Sequence, residues 1–230
     1  MRIAIYGNKY QEKFFAPLER LFGALAGRNA WVAIDRSFYD YLCCHTSVVP
    51  VVNEVIDEES NFDAAIALSI GGDGTFLRTA EKVARRGIPI LGINTGHLGY
   101  LADASVENID EVVENLFSGN YKIEERTVLH VTTDSGVVID NPFALNEIAI
   151  SRQSTALMMS MHTWVNDSEL TSYKGDGLII STPTGSTAYN LSVGGPILER
   201  TSNNIVLPPI SAHSLSIRPL LLRYYCTFRV

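Results

Sequence analysis

Asp73 is the residue most in need of a chemical explanation. It sits in Ser69-Ile70-Gly71-Gly72-Asp73-Gly74-Thr75-Phe76-Leu77, with glycine on both sides and a hydroxyl two residues on. A glycine-rich turn leading into a helix presents backbone N–H groups to an anion, and the helix dipole adds attraction. Glycine suits such a turn because a Cβ would block the approach of phosphate oxygens. A carboxylate in the middle of an anion-friendly turn is therefore out of place unless it has work to do. Two tasks fit. It can accept a proton from a hydroxyl that attacks a phosphoryl group, or hold a divalent cation that shields the phosphates. The plainer alternative is an acidic residue that complements the helix dipole. The three flanking glycines favour the chemical readings. Gly71, Gly72, Gly74 and Thr75 are the candidate phosphate contacts, and Arg78 is a cation one turn further along.

Asn94-Thr95-Gly96-His97-Leu98-Gly99-Tyr100 is a second glycine-rich loop, and the two can face each other across a cleft. His97 can touch a phosphate there or simply be solvated. Further on, Asn146-Glu147 interrupts the apolar run Phe143 to Ile150. Neighbouring strand residues face opposite ways, so one of the pair should line a buried or cleft face. A buried Glu needs a partner, for which a ribose hydroxyl is suitable. Gly175-Asp176-Gly177 and Thr182-Pro183-Thr184-Gly185-Ser186-Thr187-Ala188-Tyr189 place hydroxyls and glycines around a strand-to-helix turn. That chemistry suits the phosphates and sugars of a nucleotide.

The elements that position these residues follow from hydrophobic periodicity. Arg2–Tyr6 and Ala64–Ile70 read as buried strands, Trp31–Ile34 as a short one, and Ile88–Ile93 as another. Between them, Phe14, Phe15, Leu18, Leu21, Phe22 and Leu25 recur at helical spacing up to Gly27, and Phe38, Tyr41 and Leu42 mark a second helix. A third helix is expected to be capped by Thr75 and to stop at Gly87; a fourth runs from a Ser105 cap to Gly119. Alternating strands and helices imply a parallel sheet with helices on both faces, with ligands beyond the carboxyl ends of the strands. After residue 119 the texture changes to short β runs: 121–131, 137–140, 143–150, 157–165 and 178–181. The expectation is an α/β domain over 1–119 and a mainly β domain over 120–230.

Composition narrows the function classes. The 230 residues carry a net charge of −7, which argues against a nucleic-acid partner. Three cysteines at 43, 44 and 226, two of them adjacent, suggest neither a disulfide framework nor a zinc site. The amino-terminal apolar run is too short for a signal peptide, and no segment has the length of a membrane span. The expected compartment is the cytoplasm.

Taken together, Gly71-Gly72-Asp73-Gly74-Thr75, Asn94-x-Gly96-x-Leu98-Gly99, Asn146-Glu147, Gly175-Asp176-Gly177 and Thr182 to Tyr189 resemble the ATP-dependent NAD kinases. Pro209 to Pro219 looks like a later segment of the same family. The resemblance implies phosphorylation of the adenosine-ribose 2′-hydroxyl of NAD by ATP, with Mg²⁺ or another divalent cation, giving NADP and ADP. By similarity Asp73 takes the hydroxyl proton and Gly74 lies against the dinucleotide. Tyr100 replaces the usual Phe and stacks, and Asn146 and Glu147 hold ribose or adenine groups. Asp176, Thr187, Ala188, Tyr189 and Ser192 are the further expected NAD contacts, with Lys174 a cation for the phosphates. Homodimers or homotetramers are implied as well.

Family members continue well past the Arg218-Pro219 segment, whereas this chain stops at Val230. The expectation is a truncated second domain, with an apolar tail that lacks partner strands, an exposed sheet edge and weakened activity. Rival readings are a lipid or sphingoid kinase sharing the glycine turn, and a non-catalytic dinucleotide sensor. A dehydrogenase is disfavoured because no G-x-G-x-x-G follows the first strand.

Overall fold

The structure, a computed structural model, describes residues 1–9, 15–45, 49–57, 60–96, 99–153, 158–214 and 216–230. The expected positions Phe14, His97, Leu98, Leu157 and Leu215 lie outside the described residues. The chain divides into two compact units, Met1–Ile123 and Glu124–Val230.

In the first unit, strands β1 (Arg2–Gly7), β2 (Trp31–Asp35), β3 (Glu54–Ile56), β4 (Ile66–Ile70), β5 (Ile90–Asn94) and β6 (Ala104–Ser105) form one parallel sheet. Their spatial order is β3-β2-β1-β4-β5-β6. The order reverses between β1 and β4, which is where ligands of doubly wound sheets bind. Helices α1 (Phe15–Gly27), α2 (Arg36–His45) and α4 (Ile109–Ser118) bury Leu21, Phe38 and Val113 against one face, with Ile3, Ile5, Ile34 and Leu68. Helix α3 (Asp73–Val83) contributes Val83 to the opposite face, with Ala4, Ala33 and Ala67. The alanines among the strand residues of that face leave room for a helix to sit close to the strands. At Gly92 a Cβ would press on Ala102 and Phe76.

The helix ends follow the glycine and serine signals in part. Gly87 and Gly119 take left-handed conformations at φ 65° and 73°, and the Ser105 hydroxyl accepts the Glu107 N–H. Thr75 does not cap α3. The helix begins earlier, at Asp73, with Gly72 in the cap position and no side-chain cap bond. Thr75 is buried instead beneath Gly71, whose φ of 150° and lack of a Cβ leave room for it. Strands β3 and β6 escaped the sequence reading because three and two residues are too few to show a period.

The second unit holds β7 (Leu129–His130), β8 (Phe143–Ala144), β9 (Glu147–Ser151), β10 (Met159–Val165), β11 (Ser168–Gly175) and β12 (Gly177–Ser181). These are followed by the single-turn helix α5 (Tyr189–Ser192), β13 (Asn204–Leu207), β14 (Pro209–Ile210), β15 (Leu220–Arg223) and β16 (Phe228–Arg229). Pairing between the strands of this unit is antiparallel. Strand β12, buried along its whole length, pairs on one side with β9 and on the other with β13 and β14 in succession. Met161 and Tyr173 of the β10–β11 hairpin meet Leu178, Ile180, Ile205 and Leu207 in one core.

Three expectations for this half need correction. Residues 121–128 and 137–140 form no strand; their apolar residues Tyr121, Ile123, Val137 and Val138 are exposed rather than packed on a core. Strands β11 and β13–β14 were missed, the former because Ser168 to Gly175 is largely polar. The tail does have partner strands. Leu220–Leu222 pair with Leu207–Ile205, and Phe228 and Arg229 with Val165 and Trp164. Strand β15 is the outer strand of its sheet, so an edge is present there.

Asp35, at the end of β2, is a buried charge with several donors. Lys82 Nζ lies 2.7 Å from one oxygen, and the Ser37 hydroxyl and Phe38 N–H donate to the other. Burial alone pushes its carboxyl up, but these bonds and the Lys82 charge outweigh it and hold the group below its ordinary value of 3.8. A depressed folded value means that its stabilisation is present above the unfolded value and is lost as pH falls through the folded one. Asp35→Asn is therefore expected to lower unfolding free energy by about 1–2 kcal/mol at pH 7 in urea titrations. The gap from wild type should close as pH falls below 3.8.

Candidate active site

The carboxylate of Asp73 does not hang free over its turn. Tyr100 N–H donates to Oδ2 at 2.8 Å and Leu101 N–H to Oδ1 at 3.0 Å. The turn after β4 and the loop after β5 are thereby joined through one side chain. Gly99 lies directly against that carboxylate, and a Cβ there would overlap it. An ionised carboxyl group offers about four acceptor positions. With one N–H on each oxygen, each keeps capacity for a hydroxyl or a cation. Asp73 is half-buried, Gly72 and Gly74 are exposed, and Arg78 folds back to donate to Thr75 Oγ1 at 3.2 Å. The helix dipole, two exposed glycines and Arg78 are thus available to an anion, with a carboxylate fixed beside them. Asn94 shapes the second loop by accepting the Gly96 N–H at 2.8 Å.

The second unit assembles its own cluster. Asn146 lies in a bend between β8 and β9 rather than within a strand, so the alternation argument applies only from Glu147 onward. Thr182 N–H donates to the Asn146 carbonyl at 2.9 Å, and Thr182 Oγ1 to the Leu145 carbonyl at 2.6 Å. Gly185 packs on the Asn146 backbone so closely that a Cβ would overlap it. These contacts bring Tyr189 N–H onto the Glu147 carboxylate. Burial pushes the Glu147 carboxyl up and that bond only partly offsets it. Its Oε2 is buried without a partner among the described residues, and so is Thr184 Oγ1 on the same loop.

The hydroxyl-rich run divides by role. Thr182 and Ser186 are fully buried and build the loop: Gly185 N–H reaches Thr182 Oγ1, and Ser186 donates to the Pro183 carbonyl. Asn190 is buried too, bridging the Ser186 and Pro196 carbonyls. Thr187 and Ala188 are half-buried, while Tyr189 and Ser192 are exposed and open to a ligand. With only four residues, α5 adds little helix dipole to this turn. Asp176 is ion-paired with Arg152 at 3.0 Å. Ser151 pairs with Gly177 and Glu147 with Ser181. Asp176 therefore adjoins the far end of the β9–β12 pair, an end about 13 Å from Glu147 at the usual strand rise, and the exposed Lys174 stands just before it at the end of β11.

Each half of the chain matches a described domain. Residues 31–121 match the ATP-NAD kinase N-terminal domain, and residues 145–228 the ATP-NAD kinase C-terminal domain. The chain belongs to the ATP-NAD kinase family. The NAD kinase of Bacteroides fragilis is 46% identical over 222 residues, covering 96% of this chain and 76% of that protein. The NAD kinase of Flavobacterium psychrophilum is 41% identical over 227 residues, with the same coverage. This chain thus spans about three quarters of the length of these relatives. Among solved structures, yeast NADH kinase complexed with NADH matches with a TM-score of 0.86 at 23% identity, over 99% of this chain and 71% of that one. An NAD kinase from Archaeoglobus fulgidus in complex with ATP matches at 0.73 and 25% identity, over 99% and 79%.

In this member of the ATP-NAD kinase family, several residues of the two clusters have no signal of their own in the sequence. The amides of Tyr100 and Leu101 are invisible at the level of residue type. Arg152 precedes its partner Asp176 by 24 residues and stands in an ordinary strand end. Thr184 stands out in the sequence only as part of a run. Gly99 did carry a signal, as a glycine in a loop, but not its reason. Gly99→Ala is expected to push the Asp73 carboxylate off its two amides. Kinase turnover should fall about ten- to a hundredfold, as misplacements of about 1 Å do. Urea unfolding should show a loss of about 1–2 kcal/mol from overpacking.

Proposed function

We propose that this protein is an NAD kinase, transferring the γ-phosphoryl group of ATP to the 2′-hydroxyl of the adenosine ribose of NAD and releasing NADP and ADP. The observation that carries this reading is a carboxylate fixed by two amides at a glycine-flanked helix start. It is supported by relatives named NAD kinase that are 36–46% identical over nearly the whole chain.

Asp73 is the proposed base. Its remaining acceptor capacity takes the proton of the 2′-hydroxyl as that oxygen attacks the γ-phosphorus and the bond to the β,γ-bridging oxygen breaks. Gly71, Gly72, Gly74, Thr75 and Arg78 are assigned to the phosphates of ATP, with Thr75 acting from beneath Gly71 rather than as a cap. Tyr100 is assigned a stacking role beside Asp73. Asn146 and Glu147 are assigned to NAD hydroxyl groups, the unpartnered Oε2 of Glu147 being the acceptor. Thr187, Ala188, Tyr189 and Ser192 are assigned to the remainder of the dinucleotide, and Lys174 and Asp176 to its far end.

The cation, Mg²⁺ or another divalent ion, is written as part of the ATP substrate. Among the described residues no group of three or more His, Cys, Asp or Glu could hold a metal ion. One carboxylate at Asp73 fits an ion that keeps its waters and is carried mainly by phosphates. We assign the glycine turn, with its base and the adjoining Tyr100, to the domain of residues 1–119, and the remaining dinucleotide contacts to the domain of residues 120–230. We place the protein in the cytoplasm, which suits three thiols at 43, 44 and 226. No helix among the described residues is long and apolar enough to cross a membrane. A homodimer or homotetramer is proposed on family resemblance, with the half-exposed Leu221 on the outer strand β15 a candidate contact.

Asp73→Asn is expected to keep the fold and NAD binding while lowering turnover by roughly two to four decades. An NADP-specific dehydrogenase coupled to NAD and Mg·ATP reads this directly, and near-wild-type turnover removes Asp73 from the base role. Glu147→Gln tests the other cluster. A carboxyl whose folded value is raised above the ordinary 4.5 opposes folding when ionised, and the opposition fades as pH falls toward 4.5. The variant should therefore be at least as stable as wild type at pH 7 in thermal melts. Its NAD affinity by titration calorimetry should nonetheless weaken about tenfold. Unchanged affinity contradicts the ribose assignment.

A further inference from the structure

Helix α3 buries polar groups where an apolar stripe is the rule. Thr75 and Thr79 are 4% and 1% exposed, alongside Ala80 and Val83. The partner of Thr79 on the sheet is Ser69 of β4, itself 1% exposed. Thr79 Oγ1 lies 3.1 Å from Ser69 Oγ and 2.9 Å from the Thr75 carbonyl oxygen. A carbonyl only accepts, so when Thr79 donates to Thr75, Ser69 supplies the proton of the other bond. The result is a buried chain from a strand residue, through a helix residue, to the backbone of the first helical turn.

This chain brackets the catalytic turn. Ser69 stands two residues before Gly71 and Thr75 two residues after Asp73. Gly71 N–H is tied to the Ile93 carbonyl and the Thr75 and Phe76 N–H groups to the Gly72 carbonyl, so the turn moves with β5 on one side and with the first turn of α3 on the other. Apolar packing of Ala80 and Val83 is non-directional and allows a helix to slide or roll. Hydrogen bonds resist both motions because they depend steeply on distance and angle. The small residues Ala4 and Ala67 on this face give the helix the close approach that the hydroxyl contact needs.

The geometry points to Thr79, acting through Ser69 and the Thr75 carbonyl, as a positioning residue that sets where the Asp73 carboxylate stands for phosphoryl transfer. The assignment rests on Asp73 being the base. Thr79→Val is nearly isosteric and removes the proton while leaving the Ser69 hydroxyl and the Thr75 carbonyl in place. Turnover of NAD with Mg·ATP should fall about ten- to a hundredfold per folded molecule, with the KM for NAD within about threefold of wild type. Thr79→Ser, which keeps the hydroxyl, should restore turnover to within about threefold of wild type. In an Asp73→Asn background, Thr79→Val should add no further loss, since the two act as one unit.

A purely structural Thr79 would lower the melting temperature of the valine variant and leave turnover per folded molecule unchanged, and that result overturns the proposal. So do equal losses in the valine and serine variants, or additive losses in the double variant. Near-wild-type turnover in Asp73→Asn alone removes the base assignment itself. An inactive Asp73→Asn beside an unimpaired Thr79→Val removes only the positioning role.

Discussion

Two backbone amides hold one carboxylate in the first unit, and much of the local architecture exists to make that contact possible. Asp73 opens a helix that follows β4, while Tyr100 and Leu101 belong to the loop that follows β5. Parallel pairing of β4 with β5 puts the two carboxyl ends side by side. Gly99 leaves the carboxylate the space it occupies, and Gly71 leaves Thr75 room under the turn. A carboxylate with directional donors has one orientation, and pre-orientation matters more to phosphoryl transfer than any strong covalent assistance.

The second unit carries a different feature, a half-buried carboxylate that its own unit only partly satisfies. Glu147 has one bond, from the Tyr189 amide, and an oxygen without a partner among the described residues. Burial pushes its carboxyl up, which is an energetic penalty accepted at a site rather than relieved by packing. The surrounding loop is rigid for reasons unrelated to binding. The Thr182 and Ser186 hydroxyls and the Asn190 Nδ2 bond to backbone carbonyls of their own unit. Such internally satisfied hydroxyls give a loop one conformation, leaving the exposed Tyr189 and Ser192 at fixed positions.

The fold reading succeeded where burial and periodicity agree. Strands buried on both faces, such as β1 and β4, have mainly apolar runs, and α1, α2 and α4 show the helical period of a one-sided stripe. It failed where an element is short, polar or set by its neighbours. Strand β11 reads as a polar loop, yet seven of its residues pair with β10. The tail looked stranded because its partners, β13 for one end and β10 for the other, are distant in sequence.

From residue types alone came the glycine turns, the misplaced Asp73, the Asn146-Glu147 pair and the two-part organisation of the chain. These are local facts: glycine permits a backbone conformation, and a charge in an apolar run demands a reason, whatever the rest of the molecule does. Which atoms answer that demand was decided only in three dimensions. The donors to Asp73 are backbone amides of Tyr100 and Leu101, the partner of Asp176 is Arg152, and Thr79 is tied to Ser69. Backbone amides are the same at every non-proline position, and a hydroxyl's partner depends on which strand its helix lies against. No residue pattern can encode such contacts until the chain has brought the loops together.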